Sequence, residues 1–339
     1  RAHPVAQPHG HPHGEPRRAC GSAPGVYRVP VPRSPLVLAA LASAAVPGLV
    51  VSGARRAGVE DGVGEEVDAA VVADDAGAEW VVRAPVDAGS GLLLEQEGAL
   101  LRRLRALEPD ALPFAVPDPA GSAALKGGGR AVVHRRLPGR PLHPGDLHPG
   151  PGLSSSLGTA LGRLHDLPAS LAEEVGLPGY TAEEHRERRL VELDRAASTG
   201  QVPPGLLSRW EKATEDVGRW RFSPCLLHGD LTPERVLADG RDVTGVVEWG
   251  EARVGDPADD LAWVAVGADT DALDTVLEAY AVARHEQPDR HLPVRAQLSG
   301  EVALVRWLLH GVRTDDASVV DDAVQMLRDL DSDVGGEAL

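Results

Sequence analysis

Sulfur, lysine and aromatic rings are all scarce in these 339 residues. There are two cysteines (Cys20 and Cys225), one methionine, two lysines (Lys126 and Lys212) and 3% aromatic side chains. Two cysteines so far apart supply neither a disulfide framework nor a thiolate metal site. With few rings available, the core must be built from Val, Leu and Ala. Hydrophobic residues at 42% allow that and exclude wholesale disorder. Positive charge is short as well: 34 basic residues face 51 acidic ones, a net charge of −17. A chain this acidic repels phosphate backbones, which argues against a nucleic-acid partner. The near-absence of lysine beside abundant Ala, Gly and Pro reflects codon bias and says nothing about function.

Long apolar runs are missing too. Leu36–Val51 is the best candidate, but about 16 residues fall short of the ~20 that a spanning helix needs. Its Pro47-Gly48 breaks it further, so it reads as a short helix, Pro35–Val46, packed on the first domain rather than in a membrane. A cytoplasmic, monomeric enzyme is the expectation. Residues 1–30 form a Pro/Gly/His/Arg-rich tail without an apolar period, and the alternating His9, His11 and His13 within it are expected to be exposed low-complexity sequence. The length suggests two lobes.

What is present divides at Leu137-Pro138-Gly139, a plausible hinge. Before it, Ala69–Ala73 and Trp80–Ala84 are β-prone and joined by a turn containing Gly77. Glu97–Leu107 carries Leu100, Leu101, Leu104 and Leu107 at helical spacing. Ala131–Val133 is another strand, after a Gly127-Gly128-Gly129 turn that lacks the Lys-Ser/Thr and following helix of a phosphate loop. After the hinge the pattern is mainly helical: Ser154–Leu167, a charged and solvated Ala182–Ala197, Leu206–Trp220, and Pro257 to the end. Two short apolar strands, Cys225–Leu227 and Gly245–Val247, interrupt it. The reading is an α+β chain: a tail at 1–30, a sheet-bearing lobe at 31–136, a larger helical lobe at 137–332, and a short tail at 333–339.

The chemistry concentrates in Leu227–Trp263. His228-Gly229-Asp230 follows one strand, and Glu248 ends the second, 18 residues after Asp230. Two acids at neighbouring strand ends suit phosphoryl transfer, in which one orients the attacking hydroxyl and the other holds Mg²⁺ on the phosphates. The segment His228-Gly229-Asp230-Leu231-Thr232-Pro233-Glu234-Arg235 resembles the catalytic loop of the protein-kinase-like small-molecule phosphotransferases, the aminoglycoside and macrolide kinases. Gly255-Asp256-Pro257-Ala258-Asp259-Asp260 and Leu161-Gly162-Arg163-Leu164-His165 are similar to two further segments of that family, and the wording around Glu248-Trp249 is nearest the macrolide 2′-phosphotransferase branch. The similarity extends over about residues 35–330.

The resemblance implies a two-lobed kinase-like fold, a GTP or ATP co-substrate with Mg²⁺, and a cationic, hydroxylated acceptor, with a macrolide 2′-hydroxyl foremost. It places Asp230 and His228 in the catalytic loop, with His228 more a holder of the loop than a reactant. Glu248 becomes the metal ligand, and Asp260 the brace beneath the loop. Arg83 takes the position of the phosphate-gripping lysine, paired with Glu97, and Val133 and Arg235 fall beside the nucleotide. The ordinary alternatives are an exposed strand residue for Arg83 and a dipole-favoured acid at a helix start for Glu97. Two positions depart from the family: Arg235 stands where Asn or His is usual, and Glu248 where Asp is. Arginine cannot ligate a metal, so the site either works with one metal and a helping cation or belongs to a weak or inactive nucleotide-binding relative. Residues 256–339, with 18 acidic and 6 basic side chains, either attract a cationic acceptor or form a solvated surface. An aminoglycoside or sugar-like acceptor stays open.

Overall fold

The structure is a computed structural model that describes residues 32–58, 61, 67–334 and 339. The tail expected over 1–30, with its three histidines, lies outside the described residues, as do positions 335–338 of the expected C-terminal tail.

Alternation of small and β-branched residues builds the first lobe. Strands β1 (Val51–Arg56), β2 (Val67–Asp74), β3 (Glu79–Pro85), β4 (Pro119–Ala124) and β5 (Arg130–Arg135) form one antiparallel sheet in the order β1-β2-β3-β5-β4. Asp74 makes the β2–β3 turn: its Oδ1 accepts the N–H groups of Ala76 and Ala78, Oδ2 accepts Trp80 Nε1–H, and Gly77 takes the left-handed conformation. Helix α1 (Pro35–Ala45), capped by Ser34 with Pro35 in its first turn, covers one face of the sheet. There Leu38 and Ala42 meet Ala70, Val72, Val82, Ala131 and Val133. Because side chains alternate along a strand, Arg83 and His134 belong to the opposite face.

Helix α2 (Ala88–Arg105) begins nine residues before the expected Glu97. Ala88-Gly89-Ser90-Gly91 is poor helix sequence, but Asp87 and Ser90 form a reciprocal capping box that starts the helix there. Glu97 is therefore mid-helix and buried, not a first-turn acid. Leu100, Leu101 and Leu104 of α2 pack into the core of the second lobe, which ties the two lobes together.

After Leu137-Pro138-Gly139, β6 (Arg140–Pro141) leads to α3 (Leu153–His165), the single turn α4 (Ser170–Glu173), α5 (Ala182–Ser198) and α6 (Pro204–Glu215). Then come β7 (Cys225–Leu227), β8 (Val236–Asp239), β9 (Asp242–Val246), β10 (Arg253–Gly255), and helices α7 (Ala258–Gly267), α8 (Thr270–Ala283), α9 (Leu292–Thr314) and α10 (Ala317–Val334). Helix α10 thus runs through Val334, past the expected tail boundary at 333. Helix α3 lies against α8 at backbone distance: a Cβ on Gly158 would stand 2.2 Å from Val276 O. The two apolar strands near the acids are not partners. β7 pairs with β10, while β9 pairs with β8 beside β6. None of the described helices is long and apolar enough to cross a membrane.

Candidate active site

The loop after β7 is fixed from below by a buried carboxylate. Asp260, near the start of α7, is 0% exposed. Its Oδ1 accepts Gly229 N–H (2.8 Å), and Oδ2 accepts His228 N–H (2.8 Å) and His165 Nε2–H (3.1 Å). Tyr280 Oη meets the other nitrogen of His165 at 3.0 Å. Burial opposes ionisation of Asp260, but the His165 hydrogen bond and the loop amides outweigh it and hold the carboxyl below its ordinary pKa. Gly229 is required here: its φ is +88°, and a Cβ would lie 2.1 Å from Glu251 O and 2.5 Å from an Arg253 guanidinium nitrogen.

His228 joins the two acid-bearing loops that the strands leave unpaired. Its Nε2 lies 2.8 Å from Val247 O, and Nδ1 accepts Asp230 N–H at 3.4 Å. Burial keeps its pKa below the usual value. At 0% exposure, with both nitrogens engaged, His228 cannot touch a substrate. This is the geometry of a side chain that holds the loop, the part expected of it from the sequence.

From this base a ladder of alternating charge climbs outward. Glu97 receives Arg83 Nη1 through both carboxylate oxygens (2.7 and 2.8 Å) and accepts Trp249 N–H at 3.3 Å. Arg83 Nη2 reaches Glu248 Oε1 at 3.2 Å, and Arg235 Nε reaches Glu248 Oε2 at 3.4 Å. Arg235 Nη1 closes the series on the carboxylate and backbone carbonyl of Asp230. Side-chain exposure rises along it from 3% at Glu97 through 10%, 9% and 20% to 50% at Asp230. Burial would weaken the guanidinium charges, yet Glu97 and Glu248 raise the pKa of Arg83, and Asp230 does the same for Arg235. Glu248 has φ +63° and ψ +60°. A side chain with a Cβ adopts this left-handed conformation only at some cost in backbone energy.

Asp230 also lines a cavity of about 1200 Å³ between α2, α5 and α9. Six arginines and six carboxylates line it, with Leu93, Leu177, Val191 and Leu309 among its apolar walls. Several of these charges cancel at its base. Asp259 receives Arg189 (3.3 Å), Arg253 (2.8 Å) and Ser299 Oγ–H (2.7 Å), while Glu192 receives Arg189 and Arg306, each at 2.7 Å. Arg188 lies 4.2 Å over the Tyr180 ring at its edge. Helix α5 is therefore not simply a solvated charged face, since its His185 and Arg189 are buried against this cavity.

The sequence family described as APH, phosphotransferase enzyme family, matches residues 59–298. The chain belongs to that family. It is 30% identical over 193 residues to the uncharacterised protein YcbJ of Bacillus subtilis (strain 168), a match covering 56% of this chain and 63% of YcbJ. It is 27% identical over 215 residues to viomycin phosphotransferase of Streptomyces vinaceus, covering 59% and 73%. Among solved structures, the macrolide 2′-phosphotransferase MphH from Brachybacterium faecium superposes with a TM-score of 0.69 at 26% identity, over 86% of this chain and 97% of MphH. The two-lobed kinase-like fold is that of the family.

Within this member of the family, the expected site residues separate into three groups. Asp230, Arg235, Glu248, Arg83 and Glu97 form the ladder, and His228 and Asp260 support it from below. Val133 is elsewhere: its side chain is 0% exposed under α1, on the sheet face away from Arg83, so that side chain is not on the ladder's side of the sheet. The alternation rule puts His134 on the Arg83 side instead, and burial pushes its pKa down to about 4. Asp259 and its arginines were also missed. The adjacent acids Asp259-Asp260 were the available signal, because neighbours on a helix face different ways.

The donor set does not fit a protein-held Mg²⁺. That ion demands near-octahedral oxygen ligands, whereas both oxygens of Glu248 face guanidinium groups, and Arg235, which has no lone pair to offer a metal, stands where the resemblance expects a second ligand. No cluster of three or more His, Cys, Asp or Glu among the described residues could hold a metal. As arranged, Glu248, the residue expected to hold the metal, is the middle anion of an ion-pair ladder.

Proposed function

We propose that this phosphotransferase moves the terminal phosphoryl group of a nucleoside triphosphate, GTP or ATP, to a hydroxyl of a small molecule bound in the 1200 Å³ cavity. The observation that carries the reading is Asp230. It is half exposed on the cavity wall, fixed through its backbone by His228, and in ion-pair contact with a ladder that leads into the interlobe cleft. Its carboxylate accepts a hydrogen bond from the acceptor hydroxyl and aligns that oxygen with the phosphorus. The new O–P bond forms as the bond to the nucleoside diphosphate breaks, and the hydroxyl proton passes to Asp230. Position contributes more here than basicity. The guanidinium groups of Arg235 and Arg83 supply positive charge beside the transferring group.

The acceptor class favoured is a macrolide, at its 2′-hydroxyl. The likeness to MphH supports this, and so does the cavity, whose apolar walls and balanced charges suit a large apolar ring with one amine better than a polycation. A second reading, a weak or inactive nucleotide-binding relative, draws on Arg235 lying against the Asp230 carboxylate. Nucleotide turnover with macrolide, aminoglycoside and sugar panels separates the two, with mass spectrometry of the acceptor. The proposal expects macrolide-stimulated release of nucleoside diphosphate and an acceptor heavier by one phosphoryl group. Nucleotide binding with no acceptor stimulation from any panel member would favour the second reading.

A further inference from the structure

Three carboxylates and two guanidinium groups leave the ladder with one net negative charge, which disfavours a bare triphosphate. Some cation must therefore accompany the nucleotide, yet among the described residues no group of three or more His, Cys, Asp or Glu side chains is placed to hold one in advance. Arg235 explains the combination. Its backbone is pinned beside Glu248, because Arg235 O accepts Val247 N–H at 3.0 Å. Its Nε faces Glu248 while Nη1 grips Asp230, so one permanent charge lies between two carboxylates. An arginine in that place offsets one of the two negative charges without any metal, and its planar fork is suited to phosphate oxygens.

We infer that Arg235 is the fixed cation of the transfer site, standing in for one divalent ion, and that the single metal ion this chain handles arrives on the nucleotide. The inference rests on the phosphotransferase reading above and adds a metal stoichiometry to it. Glu248 keeps Arg235 in place and is not an inner ligand of a resident ion. The charge balance follows: one Mg²⁺ added to a site of net −1 leaves it positive toward the remaining phosphate charge.

The test is an electron paramagnetic resonance titration of Mn²⁺ into the full chain, with and without a non-hydrolysable nucleoside triphosphate analogue. The parent is expected to bind no Mn²⁺ alone and one Mn²⁺ per chain with the nucleotide. Arg235→Lys, which keeps the charge, should behave like the parent. Arg235→Asn should either take up a second Mn²⁺ or lose at least tenfold in nucleotide affinity, with melting curves confirming that it is folded. Two Mn²⁺ per parent chain, or Mn²⁺ held without nucleotide, would overturn the inference and leave the phosphotransferase reading intact. Unchanged stoichiometry in Arg235→Asn with less than a tenfold change in affinity would also overturn it. A parent that binds no nucleotide under any condition overturns both.

Discussion

Two carboxylate systems lie one above the other in the cleft, and they are stabilised by opposite means. Below the loop, Asp260 is fully buried and receives only backbone amides and His165. Above it, Glu248 is nearly as buried but is held between two arginines. Hydrogen bonds with fixed directions make Asp260 a geometric device, whose value lies in holding Gly229 at a φ that only glycine adopts comfortably. Guanidinium pairs make Glu248 an electrostatic device, whose partners lie progressively nearer to solvent. The brace is therefore expected to govern stability and the ladder to govern charge at the reaction centre.

The sharpest way to break the comparison is to remove the brace. Asp260→Ala leaves two buried loop amides and His165 without their acceptor, and roughly 3–5 kcal/mol of stability should be lost. Chemical denaturation checks this, and a loss under 1 kcal/mol would mean that the loop is held by something else.

The ladder should respond differently. Glu248→Gln removes the charge that Arg83 and Arg235 share, and turnover should fall about 10²-fold or more while the fold persists. Glu248→Asp combined with Arg235→Asn tests whether the two positions are matched. Contacting charges of this kind couple by about 1–3 kcal/mol in a double-mutant cycle. Additive effects of the two changes on kcat/KM would show that the pair does not act as a unit.

A smaller effect concerns pH. His134 has its folded pKa lowered to about 4 from 6.5, so the unfolded chain takes up a proton between those values and the folded chain does not. Stability contributed by this residue is present above pH 6.5 and is lost as pH falls toward 4, on the order of 3 kcal/mol in all. His134→Gln, which does not titrate, should flatten that part of the stability profile between pH 7 and 5. An unchanged slope would assign the acid sensitivity to His185 or His228, whose pKa values burial also lowers.

Much of this arrangement is legible in the residues themselves, for reasons that differ by element. The β2–β3 hairpin shows in the sequence because Asp74, Gly77 and the flanking valines agree on one turn. The loop acids show because His228-Gly229-Asp230 and Glu248 keep a spacing that places strand ends together. Strands β1 and β4 are hidden: Val51-Ser52-Gly53-Ala54-Arg55-Arg56 and Pro119–Ala124 have little β preference of their own and are strands because β2 and β5 present edges to them. The true start of α2 is masked by glycines and supplied by a cap. That the Val133 side chain faces α1 and not Arg83 is hidden because a strand's two faces are indistinguishable until the helix covering one of them is known. The burial of Arg189 in α5 could not be read from a charged helix, since Asp259, its partner, comes 70 residues later.

The central claim, that Asp230 is the group that orients the acceptor, is tested most directly by comparing the parent with Asp230→Ala. The assay is acceptor-stimulated release of nucleoside diphosphate, run beside melting curves of both proteins. The account predicts a loss of about 10³-fold in turnover with the melting temperature little changed, because the side chain is half exposed and contributes little packing. A folded variant that keeps near-parental turnover would contradict it.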